Sequence, residues 1–326
     1  MRQTVLLRWG RRIDVAIAVA LVGLAGVGSL RWLDVTAQPI VVLQTAGPFV
    51  GVGLLVLVVA TALLRRWWML LPTGVALVVA LTLAVPGFFA HTSPGEGPDL
   101  TVLEANLDYG RADAGQLMDA VRAHNVDVLV ATELTPDAEQ ALAGAGADRW
   151  FRHRVGAPRP RNFTGTMVYS RYPVTEVKGT TAAEEHTPSL QPELVVNVSG
   201  TPVRVKAAHP MAPLAGDTDL WRAGLRALYD WRLRQPRGER FLIAGDFNAS
   251  RGHPAFRALA DGLDDAQRTA GLGWVRTWPF VGHRVPPYVA LDHLLSSGLA
   301  VIDAGQVAIH GTDHALVWAS YAVGRT

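Results

Sequence analysis

Three long apolar runs within the first ninety residues restrict how this chain can fold more than any other feature of its sequence. They span residues 13–30, 40–64 and 67–89 and are almost free of charged side chains. Each run is long enough to cross a hydrocarbon core of about 30 Å as a helix. A cleaved signal peptide or a buried core helix would explain the first run alone, but not the two that follow at once. The sequence therefore predicts three transmembrane helices.

The distribution of arginine predicts the orientation of these helices, because loops rich in basic residues stay in the cytoplasm. Four arginines precede the first run, and Arg65 and Arg66 separate the second run from the third. The loop between the first and second runs holds only Arg31, beside Asp34. The N-terminus and the second loop are therefore predicted to be cytoplasmic. After three crossings, everything that follows residue 89 is predicted to lie outside the cytoplasm, in a multi-pass protein of the cell membrane.

The rest of the chain has the composition of a soluble domain. Residues 91–326 carry 23 basic and 26 acidic side chains, so this part is slightly acidic. A protein that binds many nucleic-acid phosphates usually has a basic face, so the charge argues against that class of partner. The chain contains no cysteine, which excludes disulfides, thiol nucleophiles and cysteine-bound metals.

Composition divides the chain into a membrane anchor at residues 1–90, a linker at 91–99 and a domain at 100–326. The linker is rich in glycine, proline and serine. In the domain, short strand-like runs alternate with helix-like ones, which predicts a mixed α/β fold. The predicted strands are residues 100–105, 126–130, 193–198, 203–208, 241–244, 290–295 and 316–322, with helices at 113–124 and 217–234. The third and fourth strands are predicted to form a hairpin across residues 199–202.

Polar and ionisable side chains recur where these apolar strands begin or end. Each one alone has an ordinary interpretation, as a turn residue, a helix cap or an Asx-turn. Together they are costly unless a cation or an anionic substrate compensates their charge. The pattern therefore predicts a functional site at the strand ends. The residues concerned are Asn106, Glu133, His209, Asp246, Asn248, Asp292, His293, Asp313 and His314.

These residues stand in motifs whose order and spacing resemble the endonuclease/exonuclease/phosphatase superfamily, the DNase I-like and sphingomyelinase-like enzymes. The resemblance covers nearly all of residues 100–322. It implies a four-layer αββα sandwich and hydrolysis of phosphate esters with Mg²⁺, or alternatively Mn²⁺, as the cofactor. The three-span arrangement is also similar to actinobacterial-type members associated with glycopeptide resistance. Besides Asn106 and Glu133, the motifs are SRYP at 170–173, AHP at 208–210, GDFN at 245–248, LDHLL at 291–295 and TDH at 312–314.

The resemblance implies a metal site made of hard oxygen ligands, as suits Mg²⁺. Glu133 corresponds to the main metal ligand, with Asn106 beside it and Asp313 supporting the metal region. Thr132 departs from the pattern, because many relatives have glutamine before the metal glutamate. Asp108 is either an additional metal ligand or a surface residue, and both interpretations stay open.

The resemblance also implies the catalytic roles. Asp246 corresponds to the group that positions or deprotonates the attacking water, and Asn248 to a donor for the phosphoryl oxygens. His314 corresponds to the histidine that faces the phosphate, oriented by Asp292. His209 corresponds to the second histidine, which helps the leaving oxygen to depart.

Two further observations concern residues near these motifs. His293 is expected to face away from Asp292, because neighbours along a strand point to opposite faces of the sheet. Trp274 and Trp278 lie in an apolar loop sequence, where they either line a lipid-facing rim or belong to the core.

The predicted site identifies a phosphoesterase without identifying its substrate. Since the domain is predicted to lie beside the lipid bilayer, the first hypothesis is a lipid-linked phosphate such as undecaprenyl pyrophosphate. The second is a surface-anchored extracellular nuclease, with the arginine-rich residues 152–161 as its candidate nucleic-acid groove. The third is a non-catalytic binding domain, against which the presence of every expected site residue argues. The sequence makes no prediction of oligomeric state.

Overall fold

A computed structural model describes residues 2–92, 100–160, 163–177, 186–214, 216, 218–280 and 285–324, with side chains from residue 10 onward. Most of the predicted linker, residues 93–99, lies outside the described residues. The chain divides into two compact units. The first comprises Met1–Pro86 and Arg251–Pro254, and the second comprises Gly87–Ser250 and Ala255–Thr326.

The first unit is helical. Two stretches, Gly10–Trp32 and Trp67–Phe88, are long and apolar enough to cross a membrane, and a third is added if a bent helix pair counts as one span. Asp14, the charged residue near the start of the first stretch, pairs with Arg66, whose Nε lies 3.2 Å from Asp14 Oδ1. The helices are α1 (Arg2–Ser29), α2 (Gln38–Gln44), α3 (Gly47–Leu63) and α4 (Trp67–Ala84), with 3₁₀ turns at Leu30–Trp32 and Val85–Phe88.

The second predicted span is not one straight helix. Residues 40–64 are divided between α2 and α3, which are bent by 61° relative to each other. The break falls just before Pro48, which lies in the first turn of α3. Proline has no N–H to donate and disfavours the helical conformation in the residue before it, so the helix ends and restarts here.

The second unit is a mixed α/β sandwich of two sheets, as the sequence predicts. Among the described residues, the first sheet has the strand order β11-β12-β1-β2-β4-β3 and the second has the order β5-β6-β7-β8-β10-β9. The strands are β1 (Leu100–Asn106), β2 (Val128–Thr132), β3 (His153–Ala157), β4 (Thr166–Ser170), β5 (Val174–Glu176), β6 (Glu193–Val198), β7 (Thr201–Ala208), β8 (Phe241–Asp246), β9 (Asp264–Asp265), β10 (Asp292–Ser297), β11 (Ala300–Ala308) and β12 (Ala315–Ala322).

Helices begin where the sequence supplies caps. Asp113 accepts the N–H of Gln116 at the start of the helix Ala114–Ala123, and Thr135 accepts the N–H of Ala138 at the start of the helix Pro136–Gly144. Such caps satisfy backbone donors that lack a partner within the helix. In the described part of the chain, the helices that follow β1 are α5 (Ala114–Ala123), α6 (Pro136–Gly144), α7 (Ala147–Trp150), α8 (Thr218–Leu233), α9 (Pro254–Ala260) and α10 (Ala266–Thr269).

The main core lies between the two sheets. Val102 and Val130 of the first sheet pack in one buried cluster with Val205, Leu242 and Leu294 of the second. Their strand neighbours point the other way, as the period of two requires. The alternation thus gives each sheet a second buried face, which the helices cover.

Helices pack on the outer faces of both sheets. Leu103 and Leu129 of the first sheet form a buried cluster with Leu117 of α5 and Leu142 of α6. On the second sheet, Trp231 of α8 packs edge-to-face on a strand phenylalanine, with ring centroids 5.6 Å apart. The cores therefore hold both sheets rigidly, and their strand ends provide fixed positions for side chains.

The predicted strands are found, with shifted limits, and some strands were not predicted. β2 and β10 begin two residues later than predicted, and β8 extends two residues further, to Asp246. The strands β3, β4, β5, β9 and β11 were missed. β3 has one buried residue in five and β11 has two in nine, so neither has the continuous apolar run typical of a central strand.

The hairpin between β6 and β7 has a shorter turn than predicted. Ser199 and Gly200 form the turn, with φ angles of 49° and 93°, and Thr201 and Pro202 already belong to β7. Two consecutive left-handed residues match the twist of the flanking strands, which favours this two-residue connection.

Candidate active site

The topology gathers the ends of six strands at one end of the sandwich. β1 runs parallel to β2, and β7 runs parallel to β8, so each pair ends at the same edge. β12 is antiparallel to β1, and β10 is antiparallel to β8, so these two strands begin where their neighbours end. In this register Asp292 stands directly opposite Asp246. All eight residues with a predicted metal or catalytic role lie at or next to these six strand ends.

Asn106 connects the two sheets by hydrogen bonds. Its Nδ2 donates to Glu133 Oε1 at 3.1 Å and to Asp246 Oδ2, across the sandwich, at 3.0 Å. Its Oδ1 accepts the N–H of Asp108 at 2.9 Å. In this orientation the amide bridges two carboxylates, whereas the metal-ligand role predicted for Asn106 requires its oxygen. That role stays a prediction.

Glu133 directly follows β2 and has a left-handed φ of 55°. Its Oε2 accepts the N–H of Tyr109 at 2.8 Å, and its Oε1 lies 3.8 Å from His209 Nε2. Burial raises the pKa of Glu133 to about 7, although the hydrogen bonds from Tyr109 and Asn106 oppose the rise. A carboxyl with such a pKa is partly protonated at neutral pH, and a cation that binds to it readily displaces the proton.

His314 and Asp292 form a buried pair that joins the two sheets. The Nδ1 of His314 lies 3.0 Å and 2.9 Å from the two carboxylate oxygens of Asp292. Burial lowers the pKa of His314, but the charges of Asp292 and Asp246 outweigh burial and raise it well above its usual value. The neighbouring carboxylates therefore favour the protonated, cationic form of His314. Its Nε2 lies 3.8 Å from Asp246 Oδ2 and 3.9 Å from Asp313 Oδ1.

Asp246 ends β8 and also forms an Asx-turn with Asn248. Its Oδ1 accepts the N–H of Asn248 at 2.7 Å, which leaves Oδ2 facing Asn106 and His314. Burial and the charge of Asp292 raise the pKa of Asp246. Asp246 is therefore both a turn residue and a site residue: Oδ1 forms the Asx-turn, and Oδ2 faces the site.

Asn248 has a left-handed φ of 48°, and its side chain is directed toward a neighbouring loop. Its Nδ2 donates to the carbonyl of Pro210 at 3.1 Å. The indole N–H of Trp221 donates to the Asn248 carbonyl at 3.0 Å and holds the turn from α8. To act as the predicted donor to a phosphoryl oxygen, the Asn248 amide has to break its hydrogen bond to Pro210 and donate to the substrate instead. That role stays a prediction.

His209 follows β7 and is 2% exposed. Hydrogen bonds hold its backbone on both sides: its N–H donates to Gln191 Oε1 at 2.7 Å, and its carbonyl accepts from Thr187 Oγ1 at 3.0 Å. Burial lowers the pKa of His209. Its Nδ1 is buried without a hydrogen-bond partner among the described residues. The ring is neutral at neutral pH and can exchange a proton with a substrate.

Asp313 is oriented by a tryptophan that the sequence did not assign to the site. The indole N–H of Trp278 donates to Asp313 Oδ2 at 2.9 Å, and the Phe280 N–H donates to the Asp313 carbonyl at 2.7 Å. The other tryptophan of this loop, Trp274, donates to the Tyr288 carbonyl at 2.8 Å. Both indoles are half-buried and anchor the loop, and Trp278 does so at the site itself.

The structure also gives the contacts of three neighbouring residues, Asp108, Thr132 and His293. Asp108 forms an ion pair with Arg111, so its carboxylate is engaged. Thr132 lies beneath the site, with Oγ1 3.5 Å from Glu104 Oε1. His293 faces away from Asp292, as the alternation predicts, and its Nε2 lies 3.1 Å from the carbonyl of Ala249.

Glu104 is a buried acid beneath the site that is not among the residues predicted from the sequence. It is completely buried and shares the face of β1 with Asn106, two residues on. Burial and the charges of Asp292 and Asp246 raise the pKa of Glu104 well above its usual value, which favours its neutral form. A glutamate in an otherwise apolar strand, two residues before a candidate ligand, was the available signal.

The site has the chemistry to hold a divalent cation. Among the described residues, the ligand atoms of Asp246, Asp292 and His314 lie within 4.8 Å of one another. This group differs from the predicted metal residues, but the bond between His314 and Asp292 accounts for part of the closeness without a cation. The carboxylates of Glu133 and Asp313 offer hard oxygens of the kind that Mg²⁺ prefers. The donor set therefore fits a hard cation.

Comparisons with known proteins identify the family and the fold. The profile of the Endonuclease/Exonuclease/phosphatase family matches residues 103–314. No curated protein sequence matches the chain. D. rerio TDP2, solved with a single strand DNA product, is 17% identical with a TM-score of 0.55, over 68% of this chain and 98% of that one.

Two further solved structures share the fold. An AP endonuclease from Archaeoglobus fulgidus is 15% identical with a TM-score of 0.55, over 69% of this chain and 100% of that one. A beta toxin from Staphylococcus aureus is 14% identical with a TM-score of 0.51, over 68% of this chain and 100% of that one. Identities this low establish a common fold and nothing about substrate.

Proposed function

Because the chain belongs to the endonuclease/exonuclease/phosphatase family, we propose that it is a membrane-anchored phosphoesterase that hydrolyses a lipid-linked phosphate or diphosphate outside the cytoplasm. Members of the family are typically metal-dependent phosphodiesterases and nucleases. The observation that carries the proposal is the position of His314 beside Asp246, with its Nε2 3.8 Å from Asp246 Oδ2, at one end of the sandwich. Against the effect of burial, the neighbouring carboxylates raise the pKa of His314 and so favour its cationic form. Glu133 is nearby, on the other side of the Asn106 amide that bonds to Asp246. This arrangement combines a positive charge for a phosphate with carboxylates for a water and a cation.

The side chains divide the work of hydrolysis by their charge. His314, held cationic by Asp292, binds a phosphoryl oxygen and stabilises the negative charge that develops there. Asp246 Oδ2 orients the attacking water and accepts its proton. His209, which is neutral because burial lowers its pKa, donates a hydrogen bond to the leaving oxygen as negative charge develops there, and the proton taken up by Asp246 is then available to that oxygen. Asn248 donates a hydrogen bond to the phosphoryl group.

Glu133 and Asp313 are the proposed cation ligands, with Asn106 beside them. When bound, Mg²⁺ or Mn²⁺ supplies positive charge that polarises the phosphoryl group. The N–H groups that orient the two carboxylates come from Tyr109 and Trp278. Such partners fix ligand orientation and are needed for affinity.

The membrane part of the proposal rests on the apolar helices of residues 1–90. Two to three of them are long and apolar enough to span a bilayer. We propose that they anchor a four-layer domain, residues 100–326, through the linker at residues 91–99, with the domain outside the cytoplasm. An active site held beside lipid headgroups meets lipid-linked phosphates first. Such an arrangement would be similar to that of the glycopeptide-resistance-associated members that the sequence resembles.

Phosphate release by the full-length protein in detergent tests this proposal. Undecaprenyl pyrophosphate, a phospholipid and plasmid DNA are offered in parallel with Mg²⁺, and His314→Ala is the matched variant. We expect release from a lipid substrate that the variant loses. If no lipid phosphate is hydrolysed under these conditions, the proposed substrate class is wrong.

A surface-anchored nuclease is the second candidate function. The observation that favours it is the common fold with TDP2 and an AP endonuclease. Against it, Arg154 of the arginine-rich stretch pairs with Glu139 and Asp148, so part of that stretch is neutralised. DNA cleavage in the parallel assay, reduced in Arg152→Ala and Arg159→Ala, would make this function the better one. A non-catalytic binding domain would hydrolyse none of the three substrates.

A further inference from the structure

Tyr109 is an exposed aromatic residue whose backbone is bonded to the candidate active site. Its exposed fraction is 50%, while its N–H donates to Glu133 Oε2 at 2.8 Å. Asp108, Tyr109 and Gly110 all have left-handed φ angles, of 45°, 56° and 77°. Two of the three are not glycine, and such residues adopt this conformation only at a cost in free energy. The surroundings therefore hold the tyrosine in a position that its own backbone preference opposes.

Contacts on both sides fix this turn and its ring. A Cβ at Gly110 would lie 2.2 Å from Thr135 Oγ1, so the turn packs directly on the start of α6. The Arg111 guanidinium pairs with Asp108 and lies 5.7 Å from the centre of the Tyr109 ring. A ring that is exposed and yet held in one orientation is suited to binding, because little freedom is lost on contact.

Phe163 continues this aromatic surface toward the catalytic histidine. Its ring centroid lies 6.4 Å from that of Tyr109, at an angle of 80° between the planes, and 6.3 Å from that of His209, at 89°. These are edge-to-face arrangements, which are favourable between aromatic rings. Tyr109 and Phe163 together form a surface that we name the aromatic wall, which extends from solvent to His209.

We propose that the aromatic wall is the subsite for the apolar chain esterified to the reacting phosphate, an inference that rests on the proposed function. The wall adjoins Glu133, a proposed cation ligand, and His209, which is proposed to act on the leaving oxygen of the phosphate. The group nearest to that phosphate is the one bonded to it through the scissile or bridging oxygen. An apolar chain laid against the rings removes apolar surface from water, which is favourable.

The contacts of the wall favour an uncharged chain over a nucleic-acid strand. The Arg111 guanidinium that lies beside the Tyr109 ring is paired with Asp108, so its charge is already compensated. A nucleic-acid strand would bring further phosphates that need such a cation, whereas a prenyl or acyl chain brings none.

Chain-length selectivity tests the wall in the full-length protein with Mg²⁺. Farnesyl diphosphate and isopentenyl diphosphate carry the same diphosphate on a longer and a shorter prenyl chain. For Tyr109→Ala and Phe163→Ala we expect KM for farnesyl diphosphate to rise about tenfold, with KM for isopentenyl diphosphate within about twofold of wild type. Tyr109→Phe retains the ring and should retain selectivity. Leu233→Ala, at an exposed position of α8, is the matched control.

Other outcomes would contradict either the aromatic wall alone or the proposed function together with it. Equal effects of the alanine variants on both diphosphates would overturn the wall alone. Hydrolysis of a single-stranded oligonucleotide that is selectively weakened by Tyr109→Ala would also overturn it, because base stacking would then explain the ring. If the wild type hydrolyses neither diphosphate, the proposed function and the wall fall together. Every alanine variant keeps its backbone N–H, so the bond to Glu133 survives the substitution.

Discussion

At the scale of single residues, the site depends on how a buried group of charges is balanced. Asp246 and Asp292 are 1% exposed and face each other across paired strands, where two negative charges would repel. His314 lies between them and supplies the compensating positive charge. A buried charge is tolerated only when it is paired and hydrogen-bonded, so removing one member should change the ionisation of the others.

Replacing Asp292 by asparagine should make His314 lose its proton at a lower pH. The substitution keeps the size of the side chain but removes the largest charge that raises the pKa of His314, so burial then dominates. We expect activity at neutral pH to fall about 100-fold and the alkaline limb of the pH–rate profile to move to lower pH. Titration of the imidazole nitrogens by NMR measures the shift directly. Asp261→Asn, at an exposed position, should leave both unchanged. An unmoved alkaline limb in Asp292→Asn would contradict the pairing.

Replacing Glu133 by glutamine should weaken cation binding at least about tenfold. In the wild type, a cation must displace the proton of a carboxyl whose pKa burial raises to about 7. The apparent affinity for Mg²⁺ should therefore fall about tenfold for each pH unit below that value. Calorimetric titration with Mg²⁺ or Mn²⁺ checks both expectations, with Glu176→Gln, at an exposed strand end, as the control.

The same titration separates the two candidate cation sites. Full affinity in Glu133→Gln, combined with lost affinity in His314→Ala, would assign the cation to the group of Asp246, Asp292 and His314. Lost affinity in Glu133→Gln alone supports the proposed ligands. The comparison thus decides a choice that the distances leave open.

At the scale of secondary-structure elements, the site is built on turns that end strands abruptly. Glu133 and Asn248 have left-handed φ angles directly after β2 and shortly after β8, and Asp108 and Tyr109 have them after β1. Each such non-glycine residue costs on the order of 1–3 kcal/mol, which the packed sandwich must offset. Backbone strain of this kind concentrates where side chains are held for function.

The close approach of β7 and β8 should make Gly245 intolerant of any side chain. A Cβ at this position would lie 1.9 Å from the carbonyl oxygen of Ala208, a backbone atom that cannot move without separating the two parallel strands. We expect Gly245→Ala to lower the free energy of unfolding by about 3 kcal/mol or more, measured by thermal or denaturant unfolding. Gly144→Ala, in α6 with nothing within 4 Å of the added Cβ, is the matched control and should be neutral or stabilising. A stable Gly245→Ala would contradict the described strand spacing.

The elements differ in how far the sequence predicted them, for identifiable reasons. Central strands such as β1 and β8 are buried on both faces, and their continuous apolar runs made them recognisable. The edge strand β3 and the half-exposed β11 lack that signal. The bend between α2 and α3 was also missed, although Gly47 and Pro48 stood within the apolar run.

The site shows the same division. Asp246 and His314 were identified because they belong to recognisable motifs at predicted strand ends. Tyr109, Trp278 and Glu104 were not, because their importance comes from contacts between segments distant in the sequence. The indole of Trp278 reaches Asp313, and the N–H of Tyr109 reaches Glu133. No local pattern encodes such contacts, which exist only after the two sheets have packed.

At the scale of the whole molecule, the absence of cysteine allows the proposed orientation to be tested cleanly. Arg237→Cys introduces an exposed thiol in the loop after α8, and Arg65→Cys introduces one in the loop before α4. A membrane-impermeant maleimide should label intact cells at residue 237 and not at residue 65, because arginine-rich loops stay in the cytoplasm. Labelling of both sites after permeabilisation is the control. The opposite pattern in intact cells would reverse the proposed orientation.

The central claim is that the charged group at the strand ends is a hydrolytic active site, and Asp246→Asn tests it most directly. The substitution keeps the Asx-turn acceptor and the size of the side chain, but removes the carboxylate proposed to activate water. Phosphate release from the preferred substrate should fall at least about 100-fold, while the unfolding midpoint and Mg²⁺ affinity stay near those of the wild type. Activity within about twofold of the wild type, in a protein that is equally folded and equally able to bind Mg²⁺, would contradict the claim.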